Sequence, residues 1–333
     1  MNPGEINHLR GPILRSVSRS FYLSLRILPR SLRDPLSLAY LLARATDTIA
    51  DTPEPSVEVR RESLRDLASA IQGSTNPEVV ARIRKSFSSL QKNDAERALI
   101  ELLPAILEWH ARINDRDRSE VRSVLQQINR GQMLDLERFG AGGGIRALMR
   151  ADELDGYTYL VAGCVGEFWT RVCFAHIPRF SSLSESEMLS LGVEYGKGLQ
   201  LINILRDVGT DLRNGRCYLP AEEFHAAGIS PEEILAKPER VEPIMQQWRE
   251  KAAAGLKAGL EYSCAIRPGR VRFATVLPAL IGTRTLALMC AAGANIFKQT
   301  VKVSRAEIRT IVSKMALNCA SSSFLRRMFA RLT

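Results

Sequence analysis

The sequence predicts an all-α protein, and three observations support this class. Aromatic residues make up only 6% of the 333-residue chain, whereas leucine, alanine and arginine, which favour helices, are plentiful. Apolar residues recur at helical spacing, and no segment alternates apolar and polar residues as a convincing strand does. We find no internal repeat and no low-complexity linker, so we expect a single domain over residues 1–333.

The predicted helices follow one another with short breaks. In the N-terminal half they are 35–51, 56–71, 78–90, 95–112 and 116–139, before the glycine-rich break at 141–144. In the C-terminal half they are 152–176, 184–212, 241–262, 269–294 and 305–329, with a short segment at 231–235. The segment 274–297 is apolar and long, but Arg284 would place a charge at mid-span. We therefore expect a buried core helix, with a transmembrane span as the alternative.

Composition excludes several classes of function. The formal net charge is +10, but lysine and arginine are spread along the chain without interleaved aromatics, so we expect no nucleic-acid partner. The six cysteines form no C-x-x-C pair and no cluster with zinc spacing. The polar residues 1–10 lack the apolar core of a signal peptide, so we expect a cytoplasmic protein. The basic segment 324–331 could contact the inner face of a membrane, or form a plain surface helix.

Two segments place polar side chains on one face of an otherwise apolar helix. Residues four apart on a helix are offset by only ~40°. The first set is Tyr40, Arg44, Asp47 and Asp51. The second set is Gln200, Asn203, Asp207 and Asp211, with Arg206 beside it. Each segment therefore offers two carboxylates one turn apart.

Paired carboxylates among apolar residues are unfavourable unless a cation compensates their charge. Oxygen ligands without histidine or cysteine suit Mg²⁺, which typically links carboxylates to substrate phosphates. Neighbouring arginines would hold a diphosphate through paired hydrogen bonds. For either motif taken alone, a solvated helix face is the simpler interpretation. The presence of both motifs favours a metal–diphosphate site.

With these motifs the sequence resembles the squalene/phytoene synthases, the head-to-head trans-prenyl transferases, from about residue 18 to 306. The residues beyond, 307–333, would form a C-terminal helix or tail. The matching elements are S-R-S-F at 18–21, Y-x-x-x-R-x-x-D-x-x-x-D at 40–51, Y-x-x-x-V-A-G-x-V-G at 157–166, Q-x-x-N-I-x-R-D-x-x-x-D at 200–211 and G-R-x-Y-x-P at 215–220.

The resemblance implies an isoprenoid-synthase fold, in which helices surround a central cavity and two aspartate-rich helices face each other. It implies Mg²⁺ ligands at Asp47, Asp51, Asn203, Asp207 and Asp211. It implies substrate-binding residues at Ser18, Arg19, Ser20, Phe21, Arg44, Val161, Ala162, Gly163, Gln200, Arg206 and Arg216. Tyr157 is the expected acid–base group, with Tyr40, Arg44 and Arg206 beside it in catalysis. For the small residues at 162–166, close helix packing is the alternative.

Within the family the sequence resembles the squalene synthases most. These enzymes condense two farnesyl diphosphates to presqualene diphosphate and reduce it to squalene with NADPH. The segment 277–303 carries this likeness, and it implies that Lys302, with Arg19, Arg44 and Arg206, binds the cofactor. Ala50 and Ser304 depart from the squalene synthase pattern. The alternatives are a synthase that makes presqualene diphosphate, dehydrosqualene or phytoene without reduction, and a non-catalytic prenyl-lipid-binding relative. We expect a monomer.

Overall fold

The computed structural model describes residues 2–18, 21–74, 76–140, 144–318 and 321–333. Over these residues the protein is almost entirely helical, which confirms the all-α class. The chain divides into two compact units. Unit 1 comprises Met1–Ala141 with Arg171–His176, and unit 2 comprises Gly142–Thr170 with Ile177–Thr333. A single domain over the whole chain stays a prediction.

Unit 1 is a bundle in which α4 is the central helix. Its helices are α1 (Pro3–His8), α2 (Leu14–Ser18), α3 (Phe21–Ile27), α4 (Arg30–Asp51), α5 (Val57–Gln72), α6 (Pro77–Phe87), α7 (Asp94–Glu101), α8 (Leu103–Arg112) and α9 (Asp115–Phe139). One π-helical turn, Leu9–Ile13, joins α1 to α2. Helix α4 packs against α5, α7, α8 and α9. It does so through a fully buried apolar face that includes Leu38, Leu42 and Ile49, which leaves its polar stripe on the other side.

Local sequence signals explain most of the helix ends in unit 1. The Ser56 hydroxyl accepts a hydrogen bond from the backbone N–H of Val59 and caps α5. Gly73 ends the same helix with φ 112°, a left-handed conformation that glycine adopts without strain. The predicted helix 95–112 is divided at Leu102, because Pro104 lies in the first turn of α8 and has no N–H to continue α7.

Unit 2 is built around the long helix α12. Its helices are α10 (Ala151–Thr158), α11 (Cys164–His176, of which the part from Arg171 belongs to unit 1), α12 (Glu185–Arg213), α13 (Ala221–Ala226), α14 (Glu242–Ala265), α15 (Gly269–Ala292), α16 (Arg305–Asn318) and α17 (Ser322–Ala330). Short 3₁₀ turns lie at Pro231–Glu233, Pro238–Val241 and Gly293–Phe297. Helix α12 packs against α14 and α15. Gly198 and Gly255 let α12 and α14 approach closely, since a Cβ on Gly198 would lie 2.7 Å from the Gly255 Cα.

Three features of unit 2 differ from the sequence prediction. We predicted no strand, but β1 (Arg146–Leu148) pairs in parallel with β2 (Arg216–Pro220). These strands are too short to show an alternating pattern. The predicted helix 152–176 contains a π-helical turn at Tyr159–Gly163. The predicted helix 305–329 is interrupted before α17, and residues 319–320 lie outside the described part of the chain.

Two apolar segments bear on the membrane question. Gly269–Phe297 is long and apolar enough to cross a membrane, but 61% of its most apolar window is buried inside the protein. Arg284 in this segment pairs with Glu307 at 2.9 Å. Both observations support the expected core helix. In α17, Leu325 and Met328 pack into the core cluster formed with α14, α15 and α16, which favours the plain surface helix for 324–331.

Candidate functional site

The C-terminal end of α4 presents the first predicted set of residues. The Tyr40 hydroxyl donates a hydrogen bond to the Val17 carbonyl at 3.2 Å and ties α4 to α2. Arg44, Asp47 and Asp51 follow along the same face of α4. Because the opposite face is buried in the bundle, these side chains remain accessible from one side.

Arg44 lies between two carboxylates. Its Nη1 is 2.5 Å from Asp47 Oδ2, and its Nη2 is 2.5 Å from Glu96 Oε1. Glu96 lies on α7, 52 residues further along the chain. We did not predict Glu96 from the sequence, because no motif contains it and only tertiary packing brings it to Arg44. The site in unit 1 therefore has a third carboxylate.

Burial and repulsion between carboxylates make the ionised form of Asp47 unfavourable at this end of α4. Burial among protein atoms, then the charge of Asp51, raise the pKa of Asp47 to about 6, although Arg44 opposes the shift. The Asp47 side chain keeps 41% of its surface exposed, so solvent reaches the carboxyl. Burial lowers the pKa of Arg44, but Asp47 and Glu96 outweigh it, and the net shift is upward.

The dipole of helix α4 also disfavours the ionised carboxylates. Asp47 and Asp51 occupy the last two turns of α4, where the helix dipole is negative and disfavours carboxylates. Asp47 and Glu96 flank the Arg44 guanidinium, and Asp51 adds a third carboxylate beside Asp47, so the charge of this group is negative. This arrangement favours a bound cation.

A recess of about 250 Å³ adjoins these side chains, and we call it the α4 recess. Arg44, Asp51 and Glu96 line it, together with Thr48 and Thr52. Hydrogen bonds fix its wall: the Thr52 hydroxyl donates to the Thr48 carbonyl at 2.6 Å, and Gln91 Nε2 donates to the Thr52 hydroxyl at 2.9 Å. The recess can hold a hydrated cation and part of a small anion.

The second predicted set lies near the C-terminal end of α12 in unit 2. Asn203 is exposed, and Asp207 and Asp211 are half-buried. Arg206 binds Asp207 through two hydrogen bonds, Nε to Oδ1 at 3.0 Å and Nη2 to Oδ2 at 2.5 Å. Gln200, also half-buried, precedes them on the same helix. As on α4, the carboxylates lie at the negative end of a helix dipole.

The strands β1 and β2 bring together a second group of predicted residues in unit 2. Tyr157 on α10 is 6% exposed, and its ring stacks on Tyr218 of β2 with centroids 5.1 Å apart. Arg216 begins β2 opposite Arg146 of β1. Strand β2 thus brings the 215–220 motif alongside the predicted acid–base tyrosine, an arrangement that the sequence did not predict.

The small residues at 161–166 allow close helix packing. A Cβ on Gly166 would lie 1.9 Å from the Gly192 carbonyl oxygen of α12, and one on Gly163 would lie 3.2 Å from Lys197 Cγ. Val161 and Ala162 belong to the π-helical turn and are half-buried. These contacts support the packing alternative, and contact of Val161, Ala162 or Gly163 with substrate stays a prediction.

The remaining predicted residues are placed as follows. Ser18 is buried, and its hydroxyl donates to the Leu14 carbonyl. Arg19 and Ser20 lie outside the described residues, and Phe21 begins α3 but its side chain is not among those described. Lys302 is exposed in the segment 301–304, which forms neither helix nor strand.

The donor chemistry fits a hard divalent cation held by few protein ligands. Within the described ranges, no group of three or more His, Cys, Asp or Glu is positioned to hold a metal. The available donors are carboxylate and amide oxygens in pairs, without histidine or thiolate. Mg²⁺ binds through one or two carboxylates and completes its shell with water and phosphate oxygens. The residues present therefore fit Mg²⁺ bound together with a diphosphate.

The chain belongs to the squalene/phytoene synthase family, whose members are head-to-head prenyltransferases, since residues 14–307 match that family. A bifunctional lycopene cyclase/phytoene synthase from Blakeslea trispora is 31% identical over 225 residues, 63% of this chain and 32% of that protein. The 15-cis-phytoene synthase of Synechocystis sp. is 27% identical over 230 residues, 66% and 56% of the two chains. A squalene synthase from Cochliobolus lunatus is 25% identical over 297 residues, 88% and 68%.

This chain spans about a third to just under a half of the bifunctional relatives. Among solved structures, TcSQS with the ligand BPH1237 matches with a TM-score of 0.79 at 19% identity, covering 99% of this chain and 90% of that one. A dehydrosqualene synthase with a bound ligand matches with a TM-score of 0.64 at 19% identity, covering 94% and 96%. These likenesses confirm the all-α isoprenoid-synthase fold.

Proposed function

We propose that this protein catalyses the Mg²⁺-dependent head-to-head condensation of two farnesyl diphosphates to presqualene diphosphate, and then its NADPH-dependent conversion to squalene. One observation carries the proposal. At the end of α4, Arg44 lies between Asp47 and Glu96, and burial with the charge of Asp51 raises the pKa of Asp47. Such an excess of carboxylate suits a site that works with a cation bound.

Asp47 and Asp51 are proposed to hold Mg²⁺ in unit 1. Asn203, Asp207 and Asp211 on α12 are proposed as a second set of Mg²⁺ ligands, in unit 2. Bound Mg²⁺ would neutralise the charge of the leaving diphosphate. Arg44 then exchanges Asp47 for diphosphate oxygens, while Glu96 keeps the other side of the guanidinium in place. Ser18, Arg19, Ser20, Gln200, Arg206 and Arg216 are proposed to complete the diphosphate contacts.

The chemistry requires a base and the exclusion of water. Loss of the first diphosphate leaves an allylic cation, which the double bond of the second molecule attacks. Loss of one proton then closes the cyclopropane of presqualene diphosphate. We propose that Tyr157, whose ring is held against Tyr218, and the released diphosphate act together as the base. The Tyr157 hydroxyl would accept this proton while it passes its own proton to a diphosphate oxygen. Tyr40, Phe21 and the 161–163 segment are proposed to shield the cation from water.

NADPH is proposed to donate the hydride that completes squalene. Lys302 is exposed and bears a positive charge, and we propose that it binds cofactor phosphates with Arg19, Arg44 and Arg206. A second candidate function is phytoene synthesis from two geranylgeranyl diphosphates without a reductant. The relatives from Blakeslea trispora and Synechocystis sp., both named phytoene synthases, favour this candidate.

Product analysis separates the candidates. The purified protein is incubated with Mg²⁺ and either farnesyl or geranylgeranyl diphosphate, with and without NADPH, and products are identified by mass spectrometry. Squalene with NADPH and presqualene diphosphate without it would support the first proposal. Phytoene from the C20 substrate in both tubes would support the second, and dehydrosqualene would contradict the reductive step. No product from either substrate would contradict the proposed catalysis.

A further inference from the structure

A second pocket in unit 1 has no role in the proposed condensation. It measures about 280 Å³ and lies between the Leu9–Ile13 turn with its flanking helices, α3, and the N-terminal half of α4. Its polar lining consists of Asn7, Arg10, Tyr22, Arg26, Arg33 and Ser37. We call it the arginine pocket.

The arginine pocket carries an excess of positive charge. Three of its lining residues are arginines, and no lining residue is acidic. Asp34, which does not line the pocket, pairs with Arg10 at 2.7 Å. The lining therefore presents three guanidinium groups and no carboxylate, which suits an anion.

Two of the three arginines are already fixed. Arg10 donates to Asp34 and, at 2.8 Å through Nη2, to the Asn7 side-chain oxygen. Arg33 donates through Nε to the Leu28 carbonyl at 2.9 Å. A guanidinium that is held in place loses little conformational entropy when it binds an anion. The pocket is therefore organised before a ligand arrives.

The other polar side chains still have hydrogen bonds to offer. Within the described part of the chain, the side chains of Arg26, Tyr22 and Ser37 take part in no hydrogen bond or ion pair. Ser37 is only 1% exposed and lines the pocket. The Ser37 hydroxyl can therefore donate a hydrogen bond to an oxygen-rich ligand in the pocket. The unpartnered Ser37 and the excess charge are independent observations that indicate the same class of ligand.

We propose that the arginine pocket binds a phosphate or diphosphate group. Guanidinium groups match phosphate oxygens in bidentate geometry, and the hydroxyls of Tyr22 and Ser37 supply further donors. The group belongs either to a small soluble molecule or to a lipid headgroup. The binding uses no carboxylate ligand and needs no metal, which separates it from the diphosphate site proposed at the α4 recess.

The test measures binding without metal. Inorganic diphosphate is titrated into the full-length protein in EDTA by isothermal calorimetry, with thermal stabilisation as a second readout. We expect saturable binding that Arg26→Gln weakens roughly tenfold, as for loss of a charged hydrogen bond, and that Ser37→Ala also weakens. Arg30→Gln is the matched control, because Arg30 is exposed at the start of α4 and does not line the pocket.

Vesicles distinguish the two sources of the phosphate. Co-sedimentation is measured with phosphatidylcholine vesicles, with and without phosphatidic acid. Binding to the acidic vesicles that Arg26→Gln abolishes and Arg30→Gln preserves would assign a lipid headgroup. Binding of diphosphate alone would assign a soluble ligand. If the protein binds neither diphosphate nor acidic vesicles, or if wild type and Arg26→Gln bind equally in both assays, the proposal is overturned. Neither result would affect the proposed condensation.

Discussion

Replacing Asp47 with asparagine should make the metal-free protein more stable. At neutral pH Asp47 is ionised, although burial and then the charge of Asp51 raise its pKa to about 6. It also lies at the negative end of α4, which disfavours a carboxylate. Asparagine removes the charge but keeps an oxygen that can accept the hydrogen bond from Arg44. The variant therefore loses a repulsion and keeps most of the local geometry.

The size of the effect follows from the shift of the pKa. A change from 3.8 to about 6 is about two units, which would correspond to roughly 3 kcal/mol if solvent did not screen it. Because 41% of the Asp47 side chain is exposed, screening reduces this to about 1 kcal/mol. The raised pKa means that the folded protein retains a proton that the unfolded chain has lost. The ionised Asp47 carboxylate therefore lowers the free energy of unfolding, but not below pH 3.8. This loss of stability develops as the pH rises from 3.8 to about 6 and is complete above that.

The assay is urea unfolding in EDTA between pH 4 and pH 8. At pH 8 we expect the free energy of unfolding of Asp47→Asn to exceed that of wild type by about 1 kcal/mol. The difference should vanish toward pH 4. Added Mg²⁺ with diphosphate should stabilise wild type more than the variant. Asp34→Asn is the control on the same helix, since its ion pair with Arg10 predicts a small loss. If Asp47→Asn is less stable than wild type at pH 8 in EDTA, the electrostatic reasoning is wrong.

Four further predictions follow from the surroundings of single residues. Glu96→Gln should lower kcat/KM about tenfold with little change in the urea midpoint, because it frees one side of Arg44; an unchanged kcat/KM would contradict a positioning role. Gly166→Ala should destabilise the protein by about 2–3 kcal/mol, since its Cβ would lie 1.9 Å from a backbone oxygen. Gly156→Ala, with open space around it, should instead add about 0.5–1 kcal/mol. Cys290, which is exposed, should react with a thiol reagent in the folded protein, whereas the buried thiols should react only on unfolding.

Local patterns predicted both aspartate motifs and most of the helices from α4 onward, but not the short helices α1, α2, α3 and α13. The apolar face of α4 leaves Arg44, Asp47 and Asp51 on the opposite side, and helical spacing alone predicts that arrangement. The caps of α5 could also be predicted, because serine and glycine act through their own backbone neighbours. Side chains that act within one or two turns are therefore accessible to sequence analysis.

Contacts between distant segments could not be predicted in this way. Glu96 reaches Arg44 only after α7 packs against α4, and its own helix carries no unusual pattern. The strands β1 and β2 are short, and their parallel pairing joins residues about 70 positions apart in the chain. The π-helical turn at Tyr159–Gly163 forms where the chain packs closely on α12. These features depend on tertiary packing, and the hydrophobic periodicity of the sequence does not reveal which distant segments pack together.

The most direct test of the central claim is the rate of diphosphate release from farnesyl diphosphate. It is measured for wild type, Asp51→Asn and Asp211→Asn, with Mg²⁺ and with EDTA. Asp66→Asn is the control, since Asp66 lies on α5 and pairs with Arg82. We expect wild type and the control to release diphosphate only when Mg²⁺ is present. The rate of release should fall about a hundredfold or more in Asp51→Asn and Asp211→Asn. Wild-type rates in Asp51→Asn and Asp211→Asn, or release in EDTA, would contradict the assignment of these carboxylates to the metal–diphosphate site.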